Sequence, residues 1–87
     1  MPPRGPFPRV YKILLSEHLL ERTLERQITT ATVHDVIRTG SERPLPGKGP
    51  HQGTRVEFAK KVEARLIVVI AEIVGQDCIV ATTYEKE

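Results

Sequence analysis

The chain has 87 residues, 39% of them hydrophobic and 28% charged, with a formal net charge of +2 and a pI near 8.9. That length holds one domain with a modest core, burying roughly 60–65% of the unfolded surface. Cys78 is the only cysteine, so the chain forms no internal disulfide, and no run approaches the roughly 18 consecutive apolar residues of a membrane helix. A disulfide scaffold and a helical membrane protein are thereby excluded, and a soluble domain is expected. Charge is unevenly spread: residues 1–61 carry 11 Lys/Arg against 6 Asp/Glu, whereas residues 62–87 carry 2 against 5. Such asymmetry permits a basic face suited to a polyanion.

Residues 1–10 contain four of the seven prolines and read as an extended tail or linker, either a disordered arm or the joint to a longer polypeptide. A single domain is expected over 11–87. Tyr11 to Leu15 is a short apolar piece, a strand or a lead-in. Ser16 is a good N-cap for a helix over Glu17 to Arg26, on which Leu19, Leu20, Thr23 and Leu24 share a face. Thr29 or Thr30 caps a second helix over Ala31 to Thr39, with Val33, Val36 and Ile37 apolar and Gly40 as its stop. The two should form a hairpin through Gln27, Ile28 and Thr29.

Ser41 to Gly53 holds three prolines and three glycines and is expected to be a loop. Beyond it the period changes to two. Val56 and Phe58 alternate with Arg55, Glu57 and Ala59 in a half-exposed strand. Leu66 to Val74 is a nearly continuous β-branched run, suited to a central strand buried at least in part on both faces. Gly75, Gln76 and Asp77 form a turn, and Cys78 to Tyr84 the last strand. The expected fold is α+β, with an N-terminal helical hairpin packed on an antiparallel meander of three to four strands.

Several residues have chemistry to offer. His18, Arg22 and Arg26 follow i, i+4, i+8 spacing on the first helix and line one stripe, with Glu17, Glu21 and Glu25 beside it. The stripe is either a solvated mixed-charge face or a row of cations waiting for phosphate. His18 sits in the first turn, where the helix dipole favours the neutral imidazole that a general base needs. It also fits an ordinary exposed histidine. Alternation places Thr82 and Tyr84 on one face of the last strand and Thr83 on the other. Lys60 and Lys61 mark a strand end or a basic patch, and Arg55 is expected on the same surface as the helix stripe. The three histidines and Cys78, spaced by 16, 17 and 27 residues, match no metal-ligand pattern, so no metal or other cofactor is expected. Cys78, inside an apolar run, reads as a small buried hydrophobe.

The segment from Ser16 to Gly40 resembles the opening of small bacterial domains patterned Ser-x-His-x₃-Arg-x₃-Arg-x-Ile-Ser/Thr, and Ile79 to Tyr84 resembles their Thr-rich closing strand. The pattern is similar to uncharacterised relatives of the RelE/ParE toxins and to the wider barnase–EndoU–colicin–RelE fold group, which includes C-terminal tRNase toxin domains. The resemblance implies a metal-independent endoribonuclease toxin acting in the cytoplasm, delivered there when it is the C-terminal domain of a larger secreted toxin. Its substrate would be RNA, tRNA among the candidates, cleaved by attack of the ribose 2′-hydroxyl on the adjacent phosphate. By the resemblance His18, Arg22 and Arg26 match the helix motif and Thr82 and Tyr84 the closing strand, so that His18, Arg22, Thr82 and Tyr84 would be catalytic and Arg26 would bind RNA. Arg55, placed by strand geometry, and Lys60 and Lys61 are further RNA-binding candidates from the residues alone. A cognate antitoxin or immunity protein is the expected protein partner. A non-catalytic nucleic-acid-binding module, and a protein-interaction module of the immunity, regulatory or gyrase-targeting ParE-like kind, are the alternative expectations.

Overall fold

The computed structural model describes residues 11–86; the expected tail over 1–10 lies outside them. Helix α1 (Glu17–Glu25) starts where the Ser16 hydroxyl accepts the Leu19 N–H at 3.1 Å, satisfying one of the unpaired amides of a helix start. It ends through Gln27, whose φ of 60° is left-handed. There Ile28 N–H donates to Thr23 O at 2.9 Å and Gln27 N–H to Leu24 O at 3.0 Å, the paired bonds of a Schellman end. The turn drops Ile28 into the core. Helix α2 (Thr30–Thr39) begins the same way, with Thr29 Oγ1 accepting the Thr32 N–H at 3.1 Å. It stops at Gly40, where a β-carbon would lie 2.5 Å from Ala59 O and 2.6 Å from Val36 O, so only glycine fits between helix and sheet.

The sheet has five strands: β1 (Lys12–Leu14), β2 (Ser41–Lys48), β3 (Thr54–Val62), β4 (Arg65–Val74) and β5 (Asp77–Lys86), in the order β1-β5-β4-β3-β2. The α+β expectation holds, but the sheet is mixed and larger than the expected meander. The lead-in β1 pairs parallel to β5, Ile13 lying opposite Cys78. The expected loop over Ser41–Gly53 is also corrected: its first eight residues are β2, antiparallel to β3. An outermost strand tolerates Pro44 and Pro46 because only one of its edges must hydrogen-bond. Pairing slips between Pro44 and Lys48. Only residues 49–53 remain as a connecting loop.

Both helices cover one face of the sheet. Leu19, Ile28, Val33, Val36 and Ile37 meet Val56, Phe58, Ile67, Val69, Ala71, Cys78 and Val80 there, forming one buried cluster. The Tyr11 ring closes its margin edge-on to Phe58, with centroids 6.2 Å apart. Alternation sends Arg55, Glu57, Ala59 and Lys61 of β3 and Leu66, Val68, Ile70 and Glu72 of β4 to the other face, which no helix covers among the described residues. In β5 Ile70 pairs with Thr82 and Ala71 with Val80, leaving Ala81 as a bulge. Beyond the bulge Thr82 and Tyr84 point to the open face and Thr83 points under the helices. No helix among the described residues is long and apolar enough to cross a membrane.

Candidate functional site

Glu72 is the one charged residue in the run from Leu66 to Val74. It lies on the open face of β4 and is only 5% exposed. A buried carboxylate needs donors, and the short loop after β2 supplies them. The loop turns on a Gln52 N–H to Gly49 O bond of 2.9 Å and folds over the sheet. His51 N–H and Gly53 N–H then donate to Glu72 Oε2 at 2.9 and 2.7 Å, and His51 Nδ1 donates to Oε1 at 3.0 Å. Gly49 and Gly53 permit this wrap, since a β-carbon at either would collide with the Glu72 side chain. Burial pushes the Glu72 carboxyl up, but the His51 ring and the two backbone N–H groups outweigh it and hold it below its usual 4.5. The carboxylate therefore stays ionised and keeps the proton on Nδ1. Nε2 of His51 has no hydrogen-bond partner among the described residues. The ring itself is 58% exposed.

Beside this pair lies a cavity of about 200 Å³, with Pro50 and His51 on its loop side, Ile70, Ile79 and Ala81 on its sheet side, and Arg55 on β3. Arg55 stands directly across from Glu72 in the β3–β4 register. Its guanidinium donates to Pro46 O at 3.3 Å and makes no ion pair among the described residues. Elsewhere on the open face Glu57 is neutralised by Arg43, whose Nε donates at 2.8 Å. Both acids of the central strands on this face are thus answered locally, while Arg55, Lys61 and Lys86 have no ion-pair partner among the described residues. Of these cations only Arg55 stands beside His51; Lys61 and Lys86 flank Leu66 at the far end of the sheet, about 20 Å along the strands.

The sequence-derived residues divide between two surfaces. Arg55, Lys61, Thr82 and Tyr84 share the open face, and Ile70 joins Thr82 to the cavity as its cross-strand partner. His18, Arg22 and Arg26 are on α1, in the layer behind the sheet. Arg55 therefore does not face the helix stripe as expected, because it alternates with the core residues Val56 and Phe58. His18 and Arg22 are exposed, whereas Arg26 donates from Nη1 to the Thr83 carbonyl. Lys60, on the helix side, is held by Asp35 at 2.7 Å and Thr39 Oγ1 at 2.8 Å. Cys78 is fully buried, and its thiol is pushed up to about 12 by burial and by the Glu42 charge.

His51 and Glu72 were not among the expected site residues. A histidine in a Gly/Pro loop carries no periodic signal. A lone acid in a strand otherwise built for burial is a signal, since it requires a partner from outside the strand. Comparison with protein-family models, with curated proteins and with solved structures finds no match to the chain.

Proposed function

We propose that the chain is a RelE-like ribonuclease of the small-toxin type, that it cleaves RNA without a metal, and that His51 rather than His18 is its general base. The observation that carries this reading is the 3.0 Å contact between His51 Nδ1 and Glu72 Oε1 at a cavity shared with the unpaired Arg55. A buried carboxylate that fixes the tautomer of an exposed histidine prepares its other nitrogen to accept a proton. His51 Nε2 takes the proton of a ribose 2′-hydroxyl as the 2′-oxygen bonds to the adjacent phosphorus. The bond from phosphorus to the 5′-oxygen breaks, and the leaving oxygen takes a proton from solvent. The products are a 2′,3′-cyclic phosphate and a 5′-hydroxyl, and the imidazolium returns its proton to solvent. The nucleophile belongs to the substrate, so the step calls for no metal-bound water.

Arg55 stabilises the charge that builds on the phosphorane, and Lys61 and Lys86, at the far end of the same face, hold phosphates several nucleotides away. Thr82 and Tyr84, on the same face, offer a hydroxyl to a phosphate and a ring to a base. A cognate antitoxin or immunity protein that neutralises this activity would cover the open face. Incubation of total RNA and labelled tRNA with the protein in EDTA, beside His51→Ala and His18→Ala, tests the reading. Cleavage that survives EDTA and His18→Ala but is lost in a folded His51→Ala supports it. Salt-sensitive RNA binding with no cleavage would make the chain a nucleic-acid-binding module instead.

A further inference from the structure

The cavity beside His51 has a size and lining that the proton transfer alone does not require. At about 200 Å³ it is smaller than the roughly 300–1,000 Å³ of pockets for drug-sized ligands. It is somewhat larger than the apolar cavity of about 150 Å³ that takes up benzene. One planar ring system fits. The sheet side is mostly apolar, made by Ile70, Ala71, Ile79 and Ala81, with the charged Glu72 and Arg55 at its loop end. Its shape comes from the bulge, which sets Ala81 out of step with β4 between the paired residues Val80 and Thr82. Of the polar groups nearby, the Glu72 carboxylate is committed by three bonds from the loop, which leaves His51 Nε2 for the ribose hydroxyl and the Arg55 guanidinium, without an ion pair among the described residues, for a phosphate.

We propose that this cavity is a slot for a single nucleobase, that of the nucleotide whose 2′-hydroxyl attacks, and that it holds the base by apolar contact without choosing among the four. The proposal rests on the ribonuclease reading above. With His51 and Arg55 both at the cavity, a ribose whose 2′-hydroxyl meets Nε2 and whose 3′-phosphate meets Arg55 has its own base next to Ile70 and Ile79. Contact with the faces of a ring discriminates poorly, because every base presents one. The slot therefore strengthens binding of any nucleotide and positions its hydroxyl.

The test uses DNA oligomers with a single ribonucleotide bearing uracil, cytosine, adenine, guanine or no base, cleaved by the wild-type protein and by Ala81→Leu. Ala81 is exposed, so leucine narrows the slot without entering the core. The expected result is that the four bases are cleaved within about tenfold of one another and the abasic site roughly ten- to a hundredfold more slowly. Ala81→Leu should cleave abasic and base-bearing oligomers at similar rates. Equal cleavage of abasic and base-bearing oligomers by the wild type, or a preference above a hundredfold for one base, overturns the slot and leaves the ribonuclease standing. If no oligomer is cleaved, the ribonuclease reading fails and the slot is judged by binding. Uridine and adenosine monophosphates should then shift the NMR signals of Ile70, Ile79 and Ala81 in the wild type and not in Ala81→Leu. Absence of those shifts, or equal shifts with ribose 5-phosphate, overturns it.

Discussion

His51 Nδ1 lies 3.0 Å from Glu72 Oε1 across 21 residues of sequence, and the carboxylate reaches the ring only because the loop N–H groups of His51 and Gly53 bind its other oxygen. The pair couples the shape of the loop to the chemistry of the ring. Removing the carboxylate and removing the imidazole should therefore have different consequences.

His51→Ala is expected to lower RNA cleavage by about 10²–10⁴-fold, the range for loss of a general base. Circular dichroism should show the fold retained, with a lower melting temperature because the buried Glu72 carboxylate loses one of its donors. Glu72→Gln removes the charge that selects the tautomer and weakens the hold on the loop. It should lower cleavage and also loosen residues 49–53, seen as faster amide exchange at Gly53. A Glu72→Gln protein with full activity and an unchanged loop would deny the pair its role.

Glu72 also sets an acid limit on stability. Its native carboxyl titrates below the unfolded value of 4.5, so its contribution is complete above that pH and is lost as pH falls through the lower native value. Asp35, lowered from 3.8 chiefly by the hydrogen bond from Lys60, adds loss in the same direction at lower pH. Denaturant melts between pH 6 and about 3 should show stability falling, and falling less in Glu72→Gln.

Gly53→Ala tests the wrap directly. The new methyl would lie 2.5 Å from Ile73 O and 2.8 Å from Glu72 Cγ, so loop or carboxylate must move. Overpacking of this kind costs about 1–3 kcal/mol. Chemical denaturation should show that loss, and cleavage should fall with it because His51 is displaced. Wild-type stability and activity would mean that the loop yields freely.

Thr83 is fully buried beneath the helices, and its hydroxyl has no hydrogen-bond partner among the described residues. Valine has the same shape and leaves no polar atom unsatisfied. Thr83→Val should stabilise the fold by roughly 1 kcal/mol, raising the melting temperature by about 4–8 °C for a domain of this size. A lower melting temperature would show that the hydroxyl is satisfied in solution.

Cys78 should be inert toward thiol reagents in the native state at neutral pH, since its thiol is buried and pushed up to about 12. The unfolded thiol ionises near 9.0, so the neutral native thiol contributes stability in full below pH 9 and loses it as pH rises toward 12. Modification by an aromatic disulfide reagent, followed with and without denaturant, should run at the rate of unfolding. Rapid native-state labelling would contradict the burial.

Much of the fold was legible in the chain because local rules govern it. Ser16 and Thr29 cap their helices through hydrogen bonds three residues away, and the apolar spacing of α1 and α2 and the β-branched run of β4 announce their elements within a few residues. Alternation was enough to set Thr82 and Tyr84 apart from Thr83. Tertiary structure decided what those rules do not reach. It made Pro44 and Pro46 part of an outer strand, since an edge leaves one side of the backbone free. It set Arg55 behind the sheet from His18, since which face the helices cover depends on burying Val56 and Phe58 together with residues far along the chain. It brought His51 to Glu72, since an ionised carboxylate leaves water only when distant donors surround it, and no spacing along the sequence records that requirement.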